Sequence, residues 1–407
     1  MPLRDPEPVA DPFARTRARF RLPDGVLYLD GNSLGPPPAG VAERVGGRIT
    51  DEWGESLVRG WNEAGWMAEP ERVGARIGRL IGAWEQSVTV GDTLSIRLFQ
   101  ALDAALGRHP SRPVVLSDTG NFPSDLYMAQ GLLGRLGGGR RLELVEPEAV
   151  ADRLDDSVAA LMLTHVDYRT GRLHDMAALT RAAHALDIPV VWDLAHSSGA
   201  VEVDLAGADA DFAVGCTYKY LNAGPGSPAF IAVAPRWQER IEPVLAGWLG
   251  HAAPFAFERD YRPAPGVGRL RVGTPPVLAM AALDAALDVW EGVEMSAVRA
   301  RSIELSERFV AEIEARCPAL ELASPRNPDE RGSQVSFAFE HGYAAMQALI
   351  RRHGVIGDFR APDLMRFAFT PLYLSMDDVI AAAERVERVI GEREWDDPAL
   401  RERAAVT

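Results

Sequence analysis

Lysine is almost missing from this 407-residue chain: of its 43 Lys plus Arg residues, Lys219 is the only lysine. Cysteine is scarce as well, with Cys216 and Cys317 making the full complement of 2. Two such distant cysteines cannot build a disulfide framework and lack the clustered spacing of a zinc site, so no metal centre is expected and a reducing compartment fits. Positive charge is in deficit, the formal net charge being -15, which opposes a large nucleic-acid surface or a patch for anionic membranes. No apolar run approaches the roughly 18 residues of a membrane span, and the opening MPLRDPEPVADPFARTRARF has no stretch apolar enough for a signal peptide. These absences predict a soluble, cytoplasmic protein with small-molecule partners, no nucleic acid and no membrane. What is present is an ordinary globular mix, 47% hydrophobic and 25% charged. At about 150 residues per domain the chain is long enough for about two to three domains.

Short apolar, β-branched runs recur at Pro113–Leu116, Ala159–Val166, Pro189–Leu194, Phe212–Thr217 and Ala229–Ala234, and they predict buried strands. Helical patterns lie between them, at Glu148–Asp156 and Asp175–Leu186. The alternation predicts an α/β fold with a mostly parallel central sheet, in which functional groups gather beyond the strand carboxyl ends. After the Pro-rich stretch Tyr261–Pro276 the pattern changes to a long helical reading over Val277–Arg316, strands at Ser333–Phe339 and Met365–Thr370, and a final helix. The expected organisation is an N-terminal arm and turn segment over 1–50, a large α/β domain over 51–276 and a smaller α+β C-terminal domain over 277–407. The Gly-rich stretch Gly131–Arg141 is too irregular for a dinucleotide fingerprint, and GNSLGPPPAG at Gly31 is a turn region that cannot be helix interior.

Lys219 lies in GCTYKYLNAGPG, directly after an apolar strand, where such a sheet presents reactive groups. Arginine cannot replace lysine in condensation with a carbonyl, because a guanidinium keeps its proton while a desolvated ammonium can lose one and attack. A chain that otherwise uses Arg therefore points to an amine required at this position, against the plain alternative of a surface lysine. Asp193 ends the apolar strand of PVVWDLAHSSGA, and a lone buried carboxylate is costly unless a cation meets it. A protonated pyridoxal phosphate ring nitrogen is such a cation, and an Asp holding its proton strengthens the ring as an electron sink. Asp193 could otherwise serve as a helix N-cap or a turn residue. His196, just beyond, could either stack on that cofactor or be a satisfied buried histidine.

These segments, together with YLDGNSLGPPP at Tyr28, FPSD at Phe122, GWLGH at Gly247 and DFRAPDLMRFAFTPLY at Asp358, resemble the kynureninases, fold type I pyridoxal-phosphate enzymes, in family order along nearly the whole chain. The resemblance implies hydrolytic cleavage of L-kynurenine, or its 3-hydroxy derivative, to anthranilate, or 3-hydroxyanthranilate, and L-alanine. It implies a covalent link from Lys219 to pyridoxal 5'-phosphate and transfer of the substrate α-proton by the same amine. Asp193 would hold the pyridine nitrogen with His196 close by, and Tyr218 would contact the phosphate and take part in proton transfer. Phe122 would stack on the ring, with Asp125 in the same turn. Leu94 and Ser95 would grip the phosphate at a helix amino terminus, where unpaired N–H groups favour an anion.

Thr164 matches a hydroxyl position near the cofactor. Trp248 and Thr274 match positions that approach the phosphate across the interface of a homodimer with a shared active site. Arg366, in the apolar MRFAFT, would bind the substrate carboxylate, a structural ion pair being its ordinary alternative. Asn32 and Ser33 would line the entrance. Trp61 and Thr274 stand where vertebrate members carry histidine and asparagine, departures that favour unsubstituted L-kynurenine.

Two other readings compete. A related lyase such as a cysteine desulfurase needs a mobile loop cysteine, whereas Cys216 sits on a strand and Cys317 in the second domain. A non-catalytic cofactor-binding regulatory protein would need a degenerate site, yet all the expected groups are present.

Overall fold

The computed structural model describes residues 12–402; the first 11 residues of the expected arm and the last 5 of the C-terminal segment lie outside the described residues. A seven-stranded sheet forms the centre, in the spatial order Val88–Val90, Phe230–Val233, Phe212–Gly215, Val190–Asp193, Val158–Thr164, Val114–Asp118, Arg141–Val145. The five strands from Phe212–Gly215 to Arg141–Val145 are mutually parallel, and Phe230–Val233 runs antiparallel to both its neighbours. All five apolar runs form wholly buried strands because both sheet faces are covered, which is why they read as unbroken hydrophobic stretches rather than alternating ones. Helix Leu94–Leu106 covers one face, burying Leu98, Ala101, Leu102 and Ala105 at three- and four-residue spacing. Each fully buried leucine of this kind contributes roughly 2 kcal/mol of burial free energy.

Two strands have no apolar run in the sequence. Val88–Val90 spans only 3 residues, too short to show a period. Arg141–Val145 is an edge strand, partly exposed along its length, so its sequence RLELV carries charges. The helix expected over Glu148–Asp156 does not form; only the single 3₁₀ turn Pro147–Ala149 is present. Asp155 accepts hydrogen bonds from the backbone N–H of Ser157 at 2.8 Å and from its hydroxyl, a local turn that competes with helix. The long helical reading over Val277–Arg316 is two helices, Val277–Leu287 and Met295–Arg316. They are separated by a 3₁₀ turn and by Gly292 at φ 72°, a left-handed position that ends helical continuity.

The C-terminal part builds a four-stranded antiparallel sheet in the order Asp358–Arg360, Leu364–Ala368, Gln334–Ala338, Glu321–Leu322. Phe309 of helix Met295–Arg316 packs on Phe367 and Phe369 with ring centroids 4.9 and 5.3 Å apart. The last helix, Met376–Gly391, starts at Ser375 with a reciprocal capping box to Asp378. Near the start of the chain, Leu27–Tyr28 pairs in parallel with Val355–Ile356. This pairing delivers the GNSLG turn to the main sheet, where the Gly35 N–H donates to the Tyr218 carbonyl at 2.7 Å. A Cβ on Gly35 would lie 2.2 Å from the Lys219 carbonyl oxygen, so only glycine allows this approach. Among the described residues no helix is long and apolar enough to cross a membrane.

Candidate active site

A cavity of about 390 Å³ opens at the carboxyl ends of the central strands, within the ordinary range for small-molecule sites. Its wall includes Thr164 and Asp193 from strand ends, His196 from the following turn, and Tyr218 and Lys219 from the loop after Phe212–Gly215. Two helix amino termini also reach it, through Leu94 and Ser95 on one side and Phe122 and Ser124 on the other. The hydroxyls of Ser95 and Ser124 stand 3.2 Å apart, so two hydroxyls and the free N–H groups of two helix starts converge on one spot suited to an anion. Thr93, the N-cap of the first helix, makes no side-chain cap bond.

Lys219 Nζ lies 2.9 Å from His196 Nε2 and 6.0 Å from the ring centres of Phe122 and Tyr218. Asp193 is fully buried, and one oxygen accepts from the Ala195 N–H at 2.8 Å. Burial pushes its carboxyl up to about 6 while Lys219 pulls the other way. Asp125 stands behind it; its carboxyl is driven well above the ordinary range by burial and by the Asp193 charge. Neither Asp125 oxygen receives a hydrogen bond from the chain. Two buried carboxyls side by side, one partnered only by the other and one facing the cavity, call for a proton or a cation there. A pyridinium N–H is a group of that kind, so the residues present fit pyridoxal phosphate, with the serine-lined helix starts fitting its phosphate.

Burial, reinforced by the Lys219 and Arg366 charges, holds His196 well below its ordinary pKa, so the ring is neutral. The Tyr218 hydroxyl is raised, chiefly by the Cys216 thiol beside it and then by burial, and stays protonated at neutral pH. Opposite this cluster, Arg366 is buried in a bidentate pair with Asp358, donates to the Tyr168 carbonyl, and reaches Ser33 Oγ at 3.3 Å. The structural ion pair weighed for Arg366 is thus present, and the guanidinium still lines the cavity. Asn32 and Ser33 line it too.

Besides Asp125, which stands behind Asp193, three expected site residues are outside this cavity of the single chain. Trp61 packs edge-to-face on Trp66 at 5.3 Å. Trp248 is exposed, with its indole N–H on the Pro254 carbonyl at 2.6 Å. Thr274 lines a second cavity of about 300 Å³ that shares Thr93 and Gly226 with the first. Conversely, Tyr168, Arg360 and Ser124 line the site without having been singled out. Asp358 and Gln334 support it from behind. Asp358, Arg360 and Arg366 all stand in DFRAPDLMRF, and strand alternation puts the first two on one face. A glutamine opening the largely apolar QVSFAF was the signal for Gln334.

Comparison with known proteins decides the family. Kynureninases of Burkholderia mallei (strain SAVP1) and Pseudomonas fluorescens are 50% and 46% identical over 404 residues, covering 98% of this chain and 97% of each relative. The chain belongs to the kynureninase family. A profile of the kynureninase C-terminal domain matches residues 298–386, the span that includes Gln334, Asp358 and Arg366. Among solved structures, a cysteine desulfurase from Thermococcus onnurineus NA1 superposes with TM-score 0.79 at 20% identity, over 95% of this chain and 99% of that one. A cysteine desulfurase from Escherichia coli does so with TM-score 0.79 at 18% identity, over 93% and 98%. These likenesses show the fold, that of the fold type I pyridoxal-phosphate enzymes, and the full-length identity to kynureninases disfavours the desulfurase alternative. Both cysteines are free and buried, unlike the mobile sulfur acceptor a desulfurase needs.

Proposed function

We infer that the chain is a pyridoxal-phosphate-dependent kynureninase, which hydrolyses the Cβ–Cγ bond of L-kynurenine to anthranilate and L-alanine with one water consumed. The observation that carries the reading is that its only lysine stands at this cavity, 2.9 Å from His196, in a wall shared with the buried Asp193. When bound, pyridoxal phosphate supplies the electron sink that lets bonds at the substrate α- and β-carbons break.

The chain's own residues divide the remaining work. Lys219 anchors the cofactor and moves the α-proton. Asp193 holds the ring-nitrogen proton, with Asp125 behind it. Leu94, Ser95 and Ser124 hold the phosphate, Phe122 covers the ring, and His196 and Thr164 bound its edge. Arg366 binds the substrate carboxylate beside Asn32 and Ser33. Tyr218, kept protonated, delivers a proton to Cβ as anthranilate leaves. Trp61 and Thr274 favour the unsubstituted substrate over 3-hydroxykynurenine.

A homodimer with a shared site accompanies this reading. Trp248, Phe255 and Phe257 form an exposed aromatic cluster, a patch that monomers rarely leave in water. Seated on a second copy, Trp248 and Thr274 would act at the partner's cavity. A three-part division at 50 and 276 goes with this reading, supported by a main sheet lying within 88–233 and a small sheet within 321–368. The buried free cysteines accord with the cytoplasm.

The test is incubation of the cofactor-loaded protein with L-kynurenine and, separately, 3-hydroxy-L-kynurenine. Anthranilate fluorescence should rise faster than 3-hydroxyanthranilate forms. Loaded protein that releases neither product overturns the reading.

A further inference from the structure

Gln334 opens the strand Gln334–Ala338 of the small domain and is completely buried. Its amide nitrogen donates to the carbonyls of Tyr168 at 3.0 Å and Asp167 at 3.4 Å. A carbonyl can only accept, so the amide cannot be turned over, and its oxygen is left facing His196 Nδ1 at 3.0 Å. An amide oxygen also only accepts, which places the ring proton on Nδ1. The ring being neutral, Nε2 carries a lone pair, and that lone pair meets Lys219 Nζ at 2.9 Å. Every proton from the Tyr168 carbonyl to the lysine amine is thereby assigned.

We propose that Gln334 is a positioning residue that fixes the tautomer of His196 and, through it, holds the Lys219 amine at the cavity wall ready for an aldehyde. The Tyr168 carbonyl accepts from Gln334 and also from Arg366 Nη1. The amine-handling and carboxylate-handling sides of the cavity therefore hang on one peptide group, and both reach it from the small-domain sheet. The Nδ1 proton follows from hydrogen-bond geometry, whereas the consequence for aldehyde capture rests on Lys219 being the cofactor anchor.

The experiment uses the full chain freed of cofactor, with nitrogen-15-labelled histidine and two-bond proton–nitrogen spectra, the His196 signals being assigned by their loss in His196→Asn. The expected result is the Nδ1–H pattern for His196 in the parent. Gln334→Glu, which still offers an acceptor, should keep Nδ1 protonated. Gln334→Leu should shift the ring toward the Nε2–H form and slow growth of the visible band on adding pyridoxal phosphate about tenfold, the scale of one lost hydrogen bond. An Nε2–H ring in the parent overturns the proposal, as does a Gln334→Leu chain unchanged in both tautomer and capture rate. If Gln334→Leu fails to fold, the parent and Gln334→Glu spectra decide. A normal visible band in Lys219→Ala would instead refute the anchor assignment while leaving the tautomer result intact.

Discussion

Asp358 and Arg366 stand directly opposite each other on adjacent antiparallel strands, and Arg366 Nε donates to Asp358 Oδ1 at 2.5 Å while Nη2 donates to Oδ2. Both side chains are 1% exposed. Burial alone would raise the Asp358 carboxyl, but Arg366, Arg360 and Ser33 outweigh it and hold the pKa below its ordinary value, so the pair is ionised. A guanidinium gripped on one edge has its orientation set before substrate arrives, which lowers the ordering cost of binding. Asp358→Asn should therefore raise the KM for L-kynurenine about tenfold, which corresponds to about 1.4 kcal/mol, with a smaller change in kcat. Steady-state kinetics check this; a fall in KM would show instead that Asp358 competes with the substrate carboxylate.

Lys219→Arg keeps a cationic side chain but removes the amine proposed to anchor the cofactor, because a guanidinium does not deprotonate in a protein. Turnover and the visible absorbance of the bound cofactor should both vanish, as measured by anthranilate fluorescence and absorption spectroscopy.

Asp30 is pushed up to about 7, first by burial and then by the Asp358 charge, with Ser33, Arg366 and Arg360 opposing. Its folded pKa lies above its unfolded value, so between these two values the unfolded chain sheds a proton that the folded chain keeps. Stability from this group is accordingly lost as pH rises through that window. Asp30→Asn carries no such dependence. Its melting temperature relative to the parent should climb from about pH 4 to about pH 7 and then level off. A constant difference across that range would refute the shifted Asp30.

Gly35→Ala puts a Cβ 2.2 Å from the Lys219 carbonyl oxygen and 2.4 Å from Asn222 Oδ1. Backbone must yield, and the lysine loop moves with it. Activity should fall by about a hundredfold or more, the scale of an ångström-sized misplacement at a reacting group, while circular dichroism stays close to that of the parent.

If Trp248 serves the partner's cavity, Lys219→Ala and Trp248→Ala should complement each other. Each mixed dimer would hold one site with both residues intact, so random re-pairing should restore about a quarter of parental activity. Light scattering confirms the dimer; no recovery on mixing would place Trp248 at the site of its own chain.

The single lysine, the lone Asp193 ending an apolar strand and the parallel-sheet alternation were legible in the sequence because each depends on neighbours close along the chain. Strands buried on both faces must be apolar throughout, and the five such runs stand out for that reason. The edge strand Arg141–Val145 and the failed helix at Glu148–Asp156 were not legible in the same way. One draws its pairing from a single distant neighbour, and the other yields to a turn bond from Asp155.

Chemical identity was thus determined by the sequence: an amine, a carboxylate and a guanidinium sit in segments matched to one family. Tertiary structure alone decided which groups meet. Gln334 touches His196 across 138 residues of chain, and Arg366 shares the Tyr168 carbonyl with it. Such pairings arise when two sheets dock and each buried polar atom must find a partner, a condition that short-range patterning cannot express.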